Sequence, residues 1–215
     1  MLLTASLFSN IGLICVVGIL FYVVVLVFSV ILHELAHGLV AYSMGDTTAK
    51  DAGRLTLNPI PHIDLFGSIL LPLLTYQFGF LVGYAKPVPY NPYNLNDRKY
   101  GPAKVAAAGP LANLFLAVLF GLVLRFVPDQ YLAPQLQQMF TLVVLLNLQL
   151  MVFNLVPIQP LDGHWLLLTF LPDRFQRLKY FMVQYGVFFL ILFIVFFLPI
   201  LRPLIQFLFS VIVGK

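Results

Sequence analysis

Residues 23–40 read VVVLVFSVILHELAHGLV, an apolar run that carries three ionisable side chains, His33, Glu34 and His37, within five positions. At 3.6 residues per helical turn, histidines four apart stack on one face, one turn from each other, and both imidazoles can reach a single Zn²⁺. Glu34 lies off that line, where it can take a proton from a water that the metal acidifies. Two incidental histidines would give the same letters. An ionisable group inside an apolar helix is expensive, however, and usually functional, and Glu34 is the only glutamate in the chain.

The surroundings are those of a membrane protein. Of the 215 residues, 61% are hydrophobic and 9% charged, against roughly a quarter charged in a soluble domain. The apolar residues fall into blocks of bilayer-crossing length: residues 11–44, 65–82, 103–127, 136–171, 180–198 and 201–213. The fold expected is an all-α polytopic membrane protein of about five to six transmembrane or re-entrant helices, with a small β-hairpin or extended loop near the site. The hairpin is expected at Thr47–Leu57, where Arg54-Leu55-Thr56-Leu57 alternates polar and apolar. Residues 86–92, with Pro87, Pro89 and Pro92, must be extended. Residues 1–215 read as a single integral-membrane domain with a core over 11–171 and accessory helices over 180–213. The first block reads as a retained membrane helix.

The net charge of +4 is spread over loops and gathers into no basic stripe, which argues against nucleic acid as a partner. Cys15 is the only cysteine, so no internal disulfide can form.

A catalytic zinc takes three protein ligands and keeps a position open for water, so the histidine pair is one ligand short. No second glutamate exists; the candidates are Asp162, His62 and His164. Asp162 is the strongest, an acid in an apolar block interrupted by Pro157 and Pro160. It would otherwise be a helix cap or loop acid. His62 and His164 are either partners of the metal ligands or ordinary interfacial histidines.

Three landmarks together resemble the site-2 proteases, the zinc-dependent intramembrane proteases: the HExxH of His33 to His37, the opening Gly109-Pro110-Leu111-Ala112-Asn113, and the break from Asn154 through Pro157 to Leu161-Asp162-Gly163. The resemblance implies one zinc per chain held by His33, His37 and Asp162, with Glu34 as general base. It also implies that Asn154 helps place the substrate or its oxyanion. Asn113 is either a helper of that kind or a polar contact between helices. Substrates would be membrane proteins cut within or near single-span or remnant transmembrane segments. No PDZ domain is inserted between the core helices, which matches the short branch of the family.

For His37 and Asp162 to meet one metal, the blocks 11–44 and 136–171 must run the same way. Residues 45–104 then begin and end on one face, and 65–82 dips in and returns. The basic residues of 45–104 and 172–179 share that face, which the positive-inside rule makes cytoplasmic, in the plasma membrane. A full span over 65–82 would separate the zinc motifs instead. An edge such as Arg54–Leu57 or Val88–Asn91 could pair with an unwound substrate; the plainer reading makes both surface loops. The competing functions are a metal-ion transporter, which would need polar groups at more depths, and an inactive membrane scaffold, which would need no Glu34.

Overall fold

The structure is a computed structural model that describes residues 2–70 and 86–214. Among the described residues every regular element is helical. They are α1 (Leu2–Ser43), α2 (Thr48–Asp51), α3 (Gly101–Phe126), α4 (Pro134–Asn154), α5 (Asp162–Phe170), α6 (Gln176–Gln184), α7 (Gly186–Leu192) and α8 (Leu201–Val213), with short 3₁₀ and π turns between them. Among the described residues four stretches are long and apolar enough to cross a membrane: Val17–Ser43, Gly101–Phe126, Pro134–Asn154 and Gly186–Val213.

Side-chain pairings set the helix directions. His33 meets Asn113 while His37 meets Val105, so α1 and α3 are antiparallel. Asn113 meets Asn147 while Phe120 meets Phe140, so α3 and α4 are antiparallel as well. Thus α1 and α4 run the same way, as two zinc motifs at one depth require. The interior lies among α3, α4 and α8, around Ala117, Leu124, Val144, Leu148, Ile205 and Val213. At the far end Arg125 donates to the carbonyl of Val211 (2.8 Å), capping α8 before Gly214 takes a left-handed turn (φ 78°).

Prolines start and stop the helices. Pro102 and Pro134 stand in first turns, where no N–H is missed. Pro157 and Pro160 keep the chain non-helical between Asn154 and Asp162. The expected block 136–171 is therefore two helices, and Asp162 opens the second. Gly163 lets that opening press on the break: a Cβ there would lie 2.5 Å from the backbone carbon of Leu155. The blocks 180–198 and 201–213 merge in the opposite sense. Pro199 sits in the first turn of a 3₁₀ segment, Leu198–Ile200, and the helical run continues through it.

The expected hairpin does not form. Thr48–Asp51 is a helical turn, and bends follow it to Leu57. Asp46 accepts from the Thr48 N–H and hydroxyl, and these local bonds favour the turn over a ladder. Most of the block 65–82 lies outside the described residues; its beginning, Leu65–Leu70, is π-helical. The chain enters and leaves this region at one place, because the Lys86 N–H donates to the His62 carbonyl (3.0 Å).

Candidate metal centre

His33 and His37 project from α1 toward α3, both nearly buried, at 6% and 9% exposed. The His33 Nδ1 donates to Asn113 Oδ1 (2.6 Å), and the His37 Nδ1 donates to the Val105 carbonyl (2.7 Å). Both acceptors lie on α3. With the ring protons committed there, both Nε2 atoms carry lone pairs, and these face each other across 3.1 Å.

Asp162 closes the set. Its Oδ2 lies 3.0 Å from His33 Nε2 and its Oδ1 3.3 Å from His37 Nε2. A neutral ring at either position turns its Nε2 lone pair toward the carboxylate, and Asp162 Oδ2 is buried with no hydrogen-bond donor among the described residues. Three lone-pair donors aimed at one point repel unless a cation lies among them. Tetrahedral Zn²⁺ with bonds of about 2.0–2.1 Å has ligand-to-ligand edges of about 3.3 Å, and the separations of 3.0–3.3 Å, taken to a different Asp162 oxygen for each histidine, are of that size.

The opposite wall is Gly109 of α3. A Cβ there would sit 2.5 Å from His33 Nε2 and in closer contact still with His37 Nε2. The missing side chain is the space into which the lone pairs point.

Glu34 is half-buried on the next face of α1, and its Oε2 accepts the Val88 N–H (2.8 Å). Val88 belongs to the extended stretch that follows residue 85, held from the other side by Arg54. The Arg54 guanidinium donates to the carbonyls of Lys86 (2.6 Å) and Pro87 (3.3 Å). Two positions on, Tyr90 packs edge-on against Trp165 (6.4 Å between centroids) and its hydroxyl is buried with no hydrogen-bond partner among the described residues. Burial, reinforced by the nearby Asp162 carboxylate, pushes the phenol up to about 12, so it stays a donor at neutral pH.

Of the other expected residues, Asn113 is wholly buried, with its Oδ1 facing His33 Nδ1 and its Nδ2 donating to Asn147 Oδ1 (2.9 Å). Asn154 donates to the Leu150 carbonyl one turn earlier in α4 (2.9 Å). His62 is tied to the Thr56 carbonyl (2.9 Å), and His164 packs on Trp165; neither belongs to the metal-ligand set. Within the edge Val88–Asn91, the N–H groups of Val88 and Asn91 are taken by Glu34 and Asp46, and Pro89 has none. Asn147, Gly109 and Tyr90 had not been singled out from the sequence for the metal centre. Asn147, a lone amide inside an apolar helix, was the one with a legible signal.

The profile described as "Peptidase family M50" matches residues 21–134 and 127–198. The chain is similar to the "Putative zinc metalloprotease YwhC" of Bacillus subtilis, 39% identical over 180 residues that cover 80% of each chain. It is 32% identical over 150 residues to the "Putative zinc metalloprotease Rip2" of Mycolicibacterium smegmatis, covering 69% of this chain and 56% of that one. Its match to the Mycobacterium tuberculosis protein of the same name is 31% identical over 166 residues, covering 77% and 63%. No solved structure matches the chain.

Proposed function

Since this chain belongs to peptidase family M50, the site-2 proteases, and is a zinc metalloprotease of the membrane, we propose that it hydrolyses peptide bonds within or near transmembrane segments of other membrane proteins. His33, His37 and Asp162 hold the zinc, and Glu34 is the general base. The observation that carries this reading is the convergence of both Nε2 atoms and the Asp162 carboxylate, at separations of 3.0–3.3 Å, beside a single glutamate.

Zinc supplies Lewis acidity, drawing electrons from the scissile carbonyl and acidifying water. Glu34 takes the proton of the attacking water and passes it to the departing amine. The Val88 N–H holds one of its carboxylate oxygens, which orients the other. His33 lies ten residues before the end of α1 at Ser43, about 15 Å along the axis. The bond to be cut must reach that depth from a face that we place on the cytoplasmic side of the plasma membrane. Single-span or remnant segments suit such a site, because one helix can unwind at its end without dismantling a bundle.

Glu34→Gln tests the reading: the ligands stay in place and the base is lost. About one zinc per chain should remain, while cleavage of a panel of single-span substrates falls by at least about a hundredfold. Cleavage near the wild-type rate would remove Glu34 from the role.

A further inference from the structure

The last helix, α8, carries a feature that the metal centre does not use. Its inner face, with Ile205 and Val213 buried, packs on α3 and α4. Along one flank Arg202, Gln206 and Ser210 are all exposed and follow one another at every fourth residue, which makes one stripe. Phe207, also exposed, stands beside the stripe at its Ser210 end. Ser210 bonds the Phe207 carbonyl of its own helix (2.9 Å). Among the described residues Arg202 and Gln206 make no hydrogen bond or ion pair.

The depth of Arg202 follows from the helix rise. It precedes Val213 by eleven residues, about 17 Å, and Arg125 caps that far end of the helix. In a hydrocarbon core of about 30 Å, Arg202 faces lipid near the middle. A guanidinium there is costly, and in membrane proteins it is matched by a counter-charge. A second copy of this chain offers none, since its acids inside the apolar blocks are Glu34 and Asp162, both at the metal centre.

We propose that this flank of α8 docks a transmembrane helix of another protein, one that carries a carboxylate near mid-span. Arg202 pairs with the acid, Gln206 adds a hydrogen bond one turn further, and Phe207 packs against the partner's apolar surface. The interface depends on the membrane fold alone, so its test does not turn on proteolysis.

The full chain, donor-labelled in phosphatidylcholine vesicles, is mixed with acceptor-labelled single-span leucine-rich helices of about 22 residues that differ at one central position: Asp, Leu or Lys. Energy transfer should report about tenfold tighter association for the Asp helix than for the Leu helix. Arg202→Leu, which turns an apolar side chain to lipid and should fold, should erase that preference. Arg202→Glu should transfer it to the Lys helix, and Gln206→Leu should weaken it a few-fold. Equal binding of the Asp and Leu helices by the wild-type chain overturns the proposal and leaves Arg202 reaching for lipid phosphates. Transfer between copies of the chain that Arg202→Leu abolishes overturns it in favour of a homodimer.

Discussion

The ring proton of His33 has one acceptor, Asn113 Oδ1, and the orientation of that amide is set by groups that can only accept. Ser29 and Val143 offer carbonyls: Asn147 Nδ2 donates to Val143 (2.9 Å), which turns Asn147 Oδ1 toward Asn113 Nδ2 (2.9 Å). Asn113 Nδ2 also faces the Ser29 carbonyl (3.4 Å), so its Oδ1 can only point at His33. Three helices thus hold one tautomer. Asn113→Leu should weaken zinc binding about 10- to 100-fold, as losses of such partners do, whereas Asn113→Asp keeps an acceptor and should bind zinc within about tenfold of wild type. Competition against a chelator reads both. Gly109→Ala should abolish occupancy, because its methyl group fills the space between the two Nε2 atoms. Asp162→Ala should lower occupancy together with activity; unchanged zinc affinity would remove Asp162 as a ligand.

The stretch from Lys86 to Asn94 lies along the end of α1 without a ladder of its own, and side chains hold it there. Glu34 and Arg54 grip its beginning. Asp46 grips its end, accepting from the Asn91 N–H (2.6 Å) and Asn94 Nδ2 (3.0 Å) besides the Thr48 donors. Burial alone would raise the Asp46 carboxyl, but the donors of Thr48, Asn91 and Asn94 outweigh it and hold the group below its ordinary range. Because the folded value is the lower one, this contribution is present above the unfolded value of about 3.9 and is lost as pH falls through the folded value. The melting temperature in detergent should therefore drop as pH falls below about 4. Asp46→Asn should start about 1–3 kcal/mol less stable and show a smaller drop over that range. An equal drop in both would place the acid-sensitive group elsewhere.

Across the whole molecule, the shared direction of α1 and α4 brings the ends of α1 and α4, the start of α3, and α5 to one face. The Asn96 N–H bonds the Met44 carbonyl (2.9 Å), which ties the beginning and end of the intervening region together. Single cysteines at Thr48, Asn94 and Gln176, in a Cys15→Ser background, should react with an impermeant thiol reagent from the cytoplasmic side only. One at Gln130 should react from the opposite side only. Labelling of positions 48 and 94 from opposite faces would contradict the geometry that joins His37 to Asp162.

The membrane class and the helical fold were legible in the sequence because they rest on apolar block length, and His33, Glu34, His37 and Asp162 stood out as candidates through a spacing of four on one helix and a lone acid after two prolines. The hairpin was misread because alternation over 54–57 is short and the side-chain bonds of Asp46 outcompete a ladder that has no partner strand. What holds His33 in one tautomer, what leaves room at Gly109, and where Asn113 spends its amide were decided only by tertiary structure. Those contacts join residues 29, 33, 109, 113 and 147, far apart in sequence, and depend on the rotation of three helices about their axes, which no local pattern records.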